Sequence, residues 1–172
     1  MLTIFEGCDG VGKTTAAKVY AEYTGAVYVH CGIEQSFFKD PVGYYRGKMA
    51  QAGKDIVMDR CWLSDQVYGP IVRGGVTLRW PELVELEAST FHMKPIVVLV
   101  YATKQTILSN YNSEHEYVKN RRLMSDIWLR YYTKPLESTY KSYAFITCER
   151  HDFDFVELFH ELVKSRRTSV YG

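Results

Sequence analysis

The sequence lacks any apolar stretch long enough to cross a bilayer. Its longest, Pro95–Ala102, falls far short of the ~20 residues a membrane helix requires. It lacks a charge excess of either sign: the formal net charge is +1, so no global field draws the chain to nucleic acid or to a membrane surface. Cysteine is sparse and scattered. Cys8, Cys31, Cys61 and Cys148 form no Cys-x-x-Cys pair, which argues against a disulfide or zinc framework and fits a reducing cytoplasm. No basic residue precedes the first apolar stretch, so no signal peptide is expected. Repeats, low-complexity tracts and linkers are also missing, so residues 1–172 are expected to fold as one domain.

What is present is aromatic and motif-bearing. Fourteen tyrosines and three tryptophans are too many to serve a ligand, so most must pack with a polar tip outward. Short apolar runs alternate with amphipathic ones. Strands are predicted at Leu2–Phe5, Ala26–Cys31, Ile56–Met58, Ile96–Tyr101 and Tyr143–Thr147. Helices are predicted from Lys13 to about Tyr23, Pro41–Ala52, Trp62 to about Tyr68, Pro81–His92, His115 to about Tyr132, and over the terminal segment. In that last segment Phe155, Val156, Phe159, Leu162 and Val163 recur on one face. The alternation predicts an α/β fold, a five-stranded parallel sheet with helices on both faces.

Residues 5–15 read FEGCDGVGKTT. The spacing from Gly7 to Thr14 is Gly-x-x-x-x-Gly-Lys-Thr, after a strand and opening a helix, the context in which this string makes a phosphate-binding loop. Gly7, Gly10 and Gly12 permit close backbone approach to oxygens, and the loop from Gly7 through Asp9, Val11 and Thr15 is expected to cradle ATP. Lys13 can neutralise β/γ oxygens, and the Thr14 hydroxyl is placed for Mg²⁺. Asp9 is an awkward member, because a carboxylate in an anion cradle opposes phosphate. It is expected to face a metal-bound water or the sugar hydroxyl of a second substrate, or simply to cap the turn.

The second constellation is DIVMDRCWLSDQVYG, residues 55–69. Asp59 ends an apolar strand, where this kind of sheet carries a metal-side carboxylate, and Arg60 would bring a guanidinium suited to bridging phosphates into the same crevice.

Together these two strings resemble the thymidylate kinase-like P-loop nucleoside and nucleotide kinases, especially compact bacteriophage-encoded forms. The resemblance implies a P-loop kinase fold with a short lid, about residues 109–118, and roles for Lys13, Asp59, Arg60 and Asp9 in transfer. It implies Thr14 and Asp59 on the Mg²⁺ side, and Ser64, Asp65 and Tyr68 around an acceptor nucleoside. Cys61 stands where that pattern carries Tyr, and Asp65 where a small or amide residue is usual, which leaves the base open. Only 27 residues separate Cys31 from Asp59, so the acceptor arm is short. Arg46 and Arg73 are candidates for holding an acceptor phosphate. The lid string SNYNSEHEY has no Arg or Lys, so Arg121 and Arg122 are candidates to reach in, and CERHD (148–152) falls where the adenine sits.

Three functions remain in play at this stage. The first is ATP-dependent phosphoryl transfer to a (deoxy)nucleoside monophosphate, which needs no strong base. The second is transfer to a hydroxyl, of a nucleoside or of a hydroxymethylated pyrimidine in DNA, for which Asp59 or Glu34 would accept the proton. The basic residues Lys119, Arg121, Arg122, Arg130, Lys134 and Lys141 keep DNA open as an acceptor. The third is a switch or ATPase with no acceptor, against which stands Arg60 directly after Asp59. A homodimer is also an expectation from the resemblance.

Overall fold

The computed structural model describes residues 1–53, 55–111, 118, 120–133, 136–140 and 143–147. The terminal helix, the CERHD string and residues 112–117 of the expected lid lie outside the described residues. Strand β1 (Leu2–Glu6) leads through the glycine loop into α1 (Lys13–Thr24). Strand β2 (Val27–His30) is followed by α2 (Gln35–Lys39) and α3 (Pro41–Ala52). Strand β3 (Ile56–Asp59) precedes α4 (Leu63–Tyr68), which widens into a π-helical turn over Gly69–Arg73. Helix α5 (Trp80–Thr90), strand β4 (Ile96–Tyr101), α6 (Lys104–Asn110), α7 (Arg121–Thr133) and β5 (Tyr143–Thr147) complete the described chain.

The strands pair in parallel in the order β2–β3–β1–β4–β5. Because successive side chains alternate faces, each central strand must be apolar on both. Leu2, Ile4, Ile56, Met58 and Val97 face one layer with Trp62, Leu83 and Leu86. Phe5, Val57, Val98 and Val100 face the other with Ala16, Tyr20, Ile127 and Tyr131. Among the described residues no helix is long and apolar enough to cross a membrane.

Local chemistry explains the boundaries. Gly25 closes α1 in a left-handed conformation and returns its N–H to the carbonyls of Ala21 and Glu22. Pro41 opens α3, and the Asp40 carboxylate accepts from the Gly43 N–H at 2.8 Å. The segment YGPIVRGG, read from sequence as a glycine-rich turn, is instead a helical turn closed by the Gly75 N–H on the Gly69 carbonyl at 3.2 Å. Helix α2 went unread in the sequence, since five residues carry too little periodicity to register.

The strand order reverses at β1, between the β3 and β4 sides. The loops leaving the carboxyl ends of β1, β2 and β3 therefore open onto one crevice, as expected for doubly wound sheets.

Candidate active site

The loop after β1 is held open by backbone geometry. Gly7 has φ of +146°, and a Cβ there would stand 2.6 Å from the Val100 carbonyl oxygen. Gly12, at φ +85°, supplies the left-handed residue from which α1 starts. Val11 is buried beneath the loop while Thr14 and Thr15 are exposed at the first turn of α1. The side-chain amide of Asn110, at the end of α6, donates to the Gly10 carbonyl at 3.1 Å and ties the expected lid's base to the cradle.

Lys13 and Asp59 meet here. The Lys13 ammonium lies 3.2 Å from Asp59 Oδ1, and both side chains are buried. Asp59 Oδ2 accepts from the Thr14 hydroxyl at 2.6 Å and the Tyr28 hydroxyl at 2.9 Å, and stands 3.2 Å from His30 Nδ1. Burial alone would raise the Asp59 pKa. The hydrogen bond to His30, the Lys13 charge and the two hydroxyl donors outweigh it and hold the carboxyl well below its usual range. Burial and the nearby Arg60 lower the Lys13 pKa, opposed by Asp59 and Asp9. Asp59 Oδ1 is buried without a hydrogen-bond partner.

Arg60 follows directly and adopts φ of +70°, unusual for a residue with a side chain. That turn sends its guanidinium back over the loop. It pairs with Asp9, donates to the Gly7 carbonyl at 3.4 Å, to Ser64 Oγ at 3.3 Å and to the Tyr68 hydroxyl at 3.0 Å, and lies 4.7 Å over the Tyr68 ring. The Asp9 N–H also donates to that Tyr68 hydroxyl, at 3.1 Å. The awkward carboxylate of the anion cradle is thus neutralised from the β3 side. Its Oδ2 has no partner.

Beneath this cluster sits a carboxylate that sequence reasoning did not single out. Glu6, fully buried, accepts from the Cys61 N–H at 2.8 Å, from Ser64 Oγ at 2.7 Å and from the Tyr131 hydroxyl at 3.0 Å. The available signal was a charged residue ending an otherwise apolar strand just before the glycine loop.

Above these groups lies one cleft of ≈ 580 Å³, whose far half is walled by Cys31, Ile33, Phe37 and Tyr45 and closed by Asp65 and Arg73; Asp59 and Glu6 lie beneath its lining. Of the sequence candidates, Asp9, Lys13, Thr14, Arg60, Ser64, Asp65, Tyr68 and Arg73 all line it. Arg46 does not. It pairs with Glu85 at 2.7 Å, both side chains about half exposed, on a separate groove between α3 and α5. Its position on α3 leaves it outside the cleft lining, paired with a carboxylate of α5. Glu34 pairs with Lys48 at 2.8 Å and lies outside the lining. Arg121 and Arg122 stand exposed at the start of α7 and do not line the cleft. His30, Phe37 and Tyr45 were missed, because nothing in their local sequence marks them.

No protein-family model matches the sequence, and no curated protein matches it. Solved structures do. The YorR protein from Bacillus subtilis, in complex with phosphorylated GDP, superposes with a TM-score of 0.72 at 17% identity, over 100% of this chain and 99% of that one. A deoxyadenosine kinase from M. mycoides with bound dATP gives a TM-score of 0.57 at 14% identity over 98% and 100% of the two chains. A gluconokinase from Sinorhizobium meliloti gives 0.57 at 10% identity over 97% and 95%. The described residues therefore have the α/β fold of these structures, two of which are kinases by name.

Proposed function

We propose that this protein transfers the γ-phosphoryl group of ATP to a hydroxyl of a nucleoside-type acceptor. The observation that carries the reading is the joining of two halves in one cleft. One half holds the phosphate loop with Lys13 and Thr14, both backed by the buried Asp59; the other is an aromatic-walled slot ending at Arg73. Hard oxygen donors from Thr14 and Asp59, one of them a buried carboxylate oxygen that accepts no hydrogen bond and faces only the Lys13 ammonium, suit Mg²⁺. When bound with ATP, that ion supplies charge neutralisation at the phosphates. Lys13 would bind phosphate oxygens, and the loop N–H groups would orient them.

Charge pairing moves the reading from a phosphate acceptor, first in the sequence, toward a hydroxyl. Lys13 faces Asp59, Arg60 faces Asp9 and Arg73 faces Asp65. Three cations against three carboxylates leave no surplus positive charge for a second phosphate. A hydroxyl instead needs somewhere for its proton, and His30, whose Nδ1 stands 3.2 Å from Asp59, lines the cleft. One of the similar structures is a deoxyadenosine kinase, named for a nucleoside.

A second reading is transfer to a (deoxy)nucleoside monophosphate, in the manner of thymidylate kinases. It is favoured by the two guanidinium groups lining the acceptor half, which suit phosphate bidentately.

The test is an ATP-consumption assay with Mg²⁺ over nucleosides, their 5′-monophosphates, and duplex DNA bearing hydroxymethylated pyrimidines. Turnover with free nucleosides supports the proposal. Turnover confined to monophosphates establishes the second reading, and hydrolysis at full rate without acceptor overturns both.

A further inference from the structure

The far half of the cleft looks, from sequence, like a place where a carboxylate meets the acceptor. In the structure that carboxylate is fully engaged. Asp65 Oδ1 pairs with Arg73, and Oδ2 accepts the backbone N–H groups of Thr77 and Leu78 at 2.6 and 2.8 Å. Ser64 is engaged as well, donating to Glu6. The walls there are apolar: Ile33, Phe37 and Tyr45.

Arg73 is different. Its Nη2 is bound to Asp65, but its Nη1 is buried with no hydrogen-bond partner. The guanidinium carbon lies 5.8 Å from the ring centre of Phe38, which is 47% exposed. A guanidinium only donates. A buried charged N–H without an acceptor is unfavourable, and a ligand that supplies one relieves it.

We propose that Arg73 makes the acceptor half selective for a heterocycle that presents an exocyclic carbonyl to it, an oxo base rather than an amino base. Adjacent O6 and N7 acceptors of a guanine- or hypoxanthine-type edge match the fork best, since arginine reads two neighbouring acceptors bidentately. A single uracil- or thymine-type carbonyl satisfies one arm. The exocyclic amino group of adenine or cytosine sets N–H against N–H, and Asp65, held by two backbone amides, does not turn to receive it. The inference rests on the reading of this cleft as a nucleoside site, and it specifies the base class that the reading leaves open.

The experiment compares acceptors that differ only in this group, 2′-deoxyinosine against 2′-deoxyadenosine and 2′-deoxyuridine against 2′-deoxycytidine. Each is offered to the full chain with ATP and Mg²⁺, as nucleoside and as 5′-monophosphate. The oxo member of each pair is expected to have a kcat/KM about 10- to 100-fold higher, the discrimination of one hydrogen bond to a charged donor. Arg73→Met should bring both ratios close to unity while leaving the KM for ATP in place. Should Arg73→Met fail to fold by thermal melting, Arg73→Lys serves: it keeps the charge, loses the fork, and should lower the inosine advantage more than the uridine one. Equal or better use of the amino members, or ratios untouched by the substitution, overturns the proposal. If no acceptor is phosphorylated, the kinase reading fails by itself. Calorimetric titration of the same pairs then decides the inference: tighter binding of the oxo members supports it, and equal binding or none overturns it.

Discussion

Arg60 and Asp9 form an ion pair that reaches back from the end of β3 to the phosphate loop, and Arg60 holds a left-handed backbone to make it. Both side chains are largely buried. Removing the cation alone leaves Asp9 in a poorly solvated place, so Arg60→Ala is expected to cost about 3 kcal/mol in urea unfolding. Arg60→Gly should cost roughly 1 kcal/mol less, because glycine takes the positive φ without strain. Adding Asp9→Asn to Arg60→Ala should recover most of the loss. A double variant no more stable than Arg60→Ala would mean that the pair is not the source.

Lys13 is the second test. Its ammonium is buried against Asp59 at the mouth of the donor half. Lys13→Met is expected to lower kcat by ~10²–10³, the usual cost of one preorganised charge at a transferring group, with a native circular dichroism spectrum. Turnover within a few-fold of the parent would exclude contact with the phosphates.

Tyr68 offers a cleaner substitution. Its hydroxyl receives hydrogen bonds from the Asp9 N–H and from Arg60, while its ring packs edge-on against Tyr131. Tyr68→Phe keeps the ring and removes the hub. The expected result is a fall of about tenfold in kcat with acceptor, from a loop less firmly held, and a loss of about 1–3 kcal/mol in stability from two donors left without their acceptor. An unchanged kcat beside the stability loss would make the hub purely structural.

Thiol chemistry gives a pH prediction. Burial pushes the Cys8 and Cys31 thiols up to about 12, so roughly one in ten thousand of either is thiolate at pH 8. In a Cys148→Ser background, labelling by a disulfide reagent should be very slow at pH 8 and rise about tenfold per pH unit. Because the folded values are raised, the stability they contribute is complete below the unfolded thiol value near 8.5. It declines as pH climbs from there toward the folded values. Stoichiometric labelling within minutes at pH 8 would contradict the burial.

These tests draw on residues of two kinds, and the sequence displayed only one. The loop from Gly7 to Thr14 was legible because its chemistry is local: strand, glycines, lysine and helix follow one another along the chain. Asp59 and Arg60 were legible because an apolar strand delivers them to the same rim. Arg46's pairing with Glu85 was not legible, because Glu85 lies on another helix and helical position alone does not say which side faces the crevice. Asp65 was correctly brought to the cleft, yet its commitment to the Thr77 and Leu78 amides depends on how the chain folds back after a π-helical turn. His30 ends β2, Phe37 sits on the five-residue α2 and Tyr45 on α3, and no local motif marks any of the three as facing the crevice.

Glu6 has a mechanical consequence. One carboxylate holds the Cys61 amide, the Ser64 hydroxyl and the Tyr131 hydroxyl at the base of the crevice. Strand β1, the turn after β3 and helix α7 are thereby clamped to a common pivot that does not slide. Donor loop and acceptor floor thus share one buried support, and the wall facing them among the described residues is the α2 side, with Ile33 and Phe37.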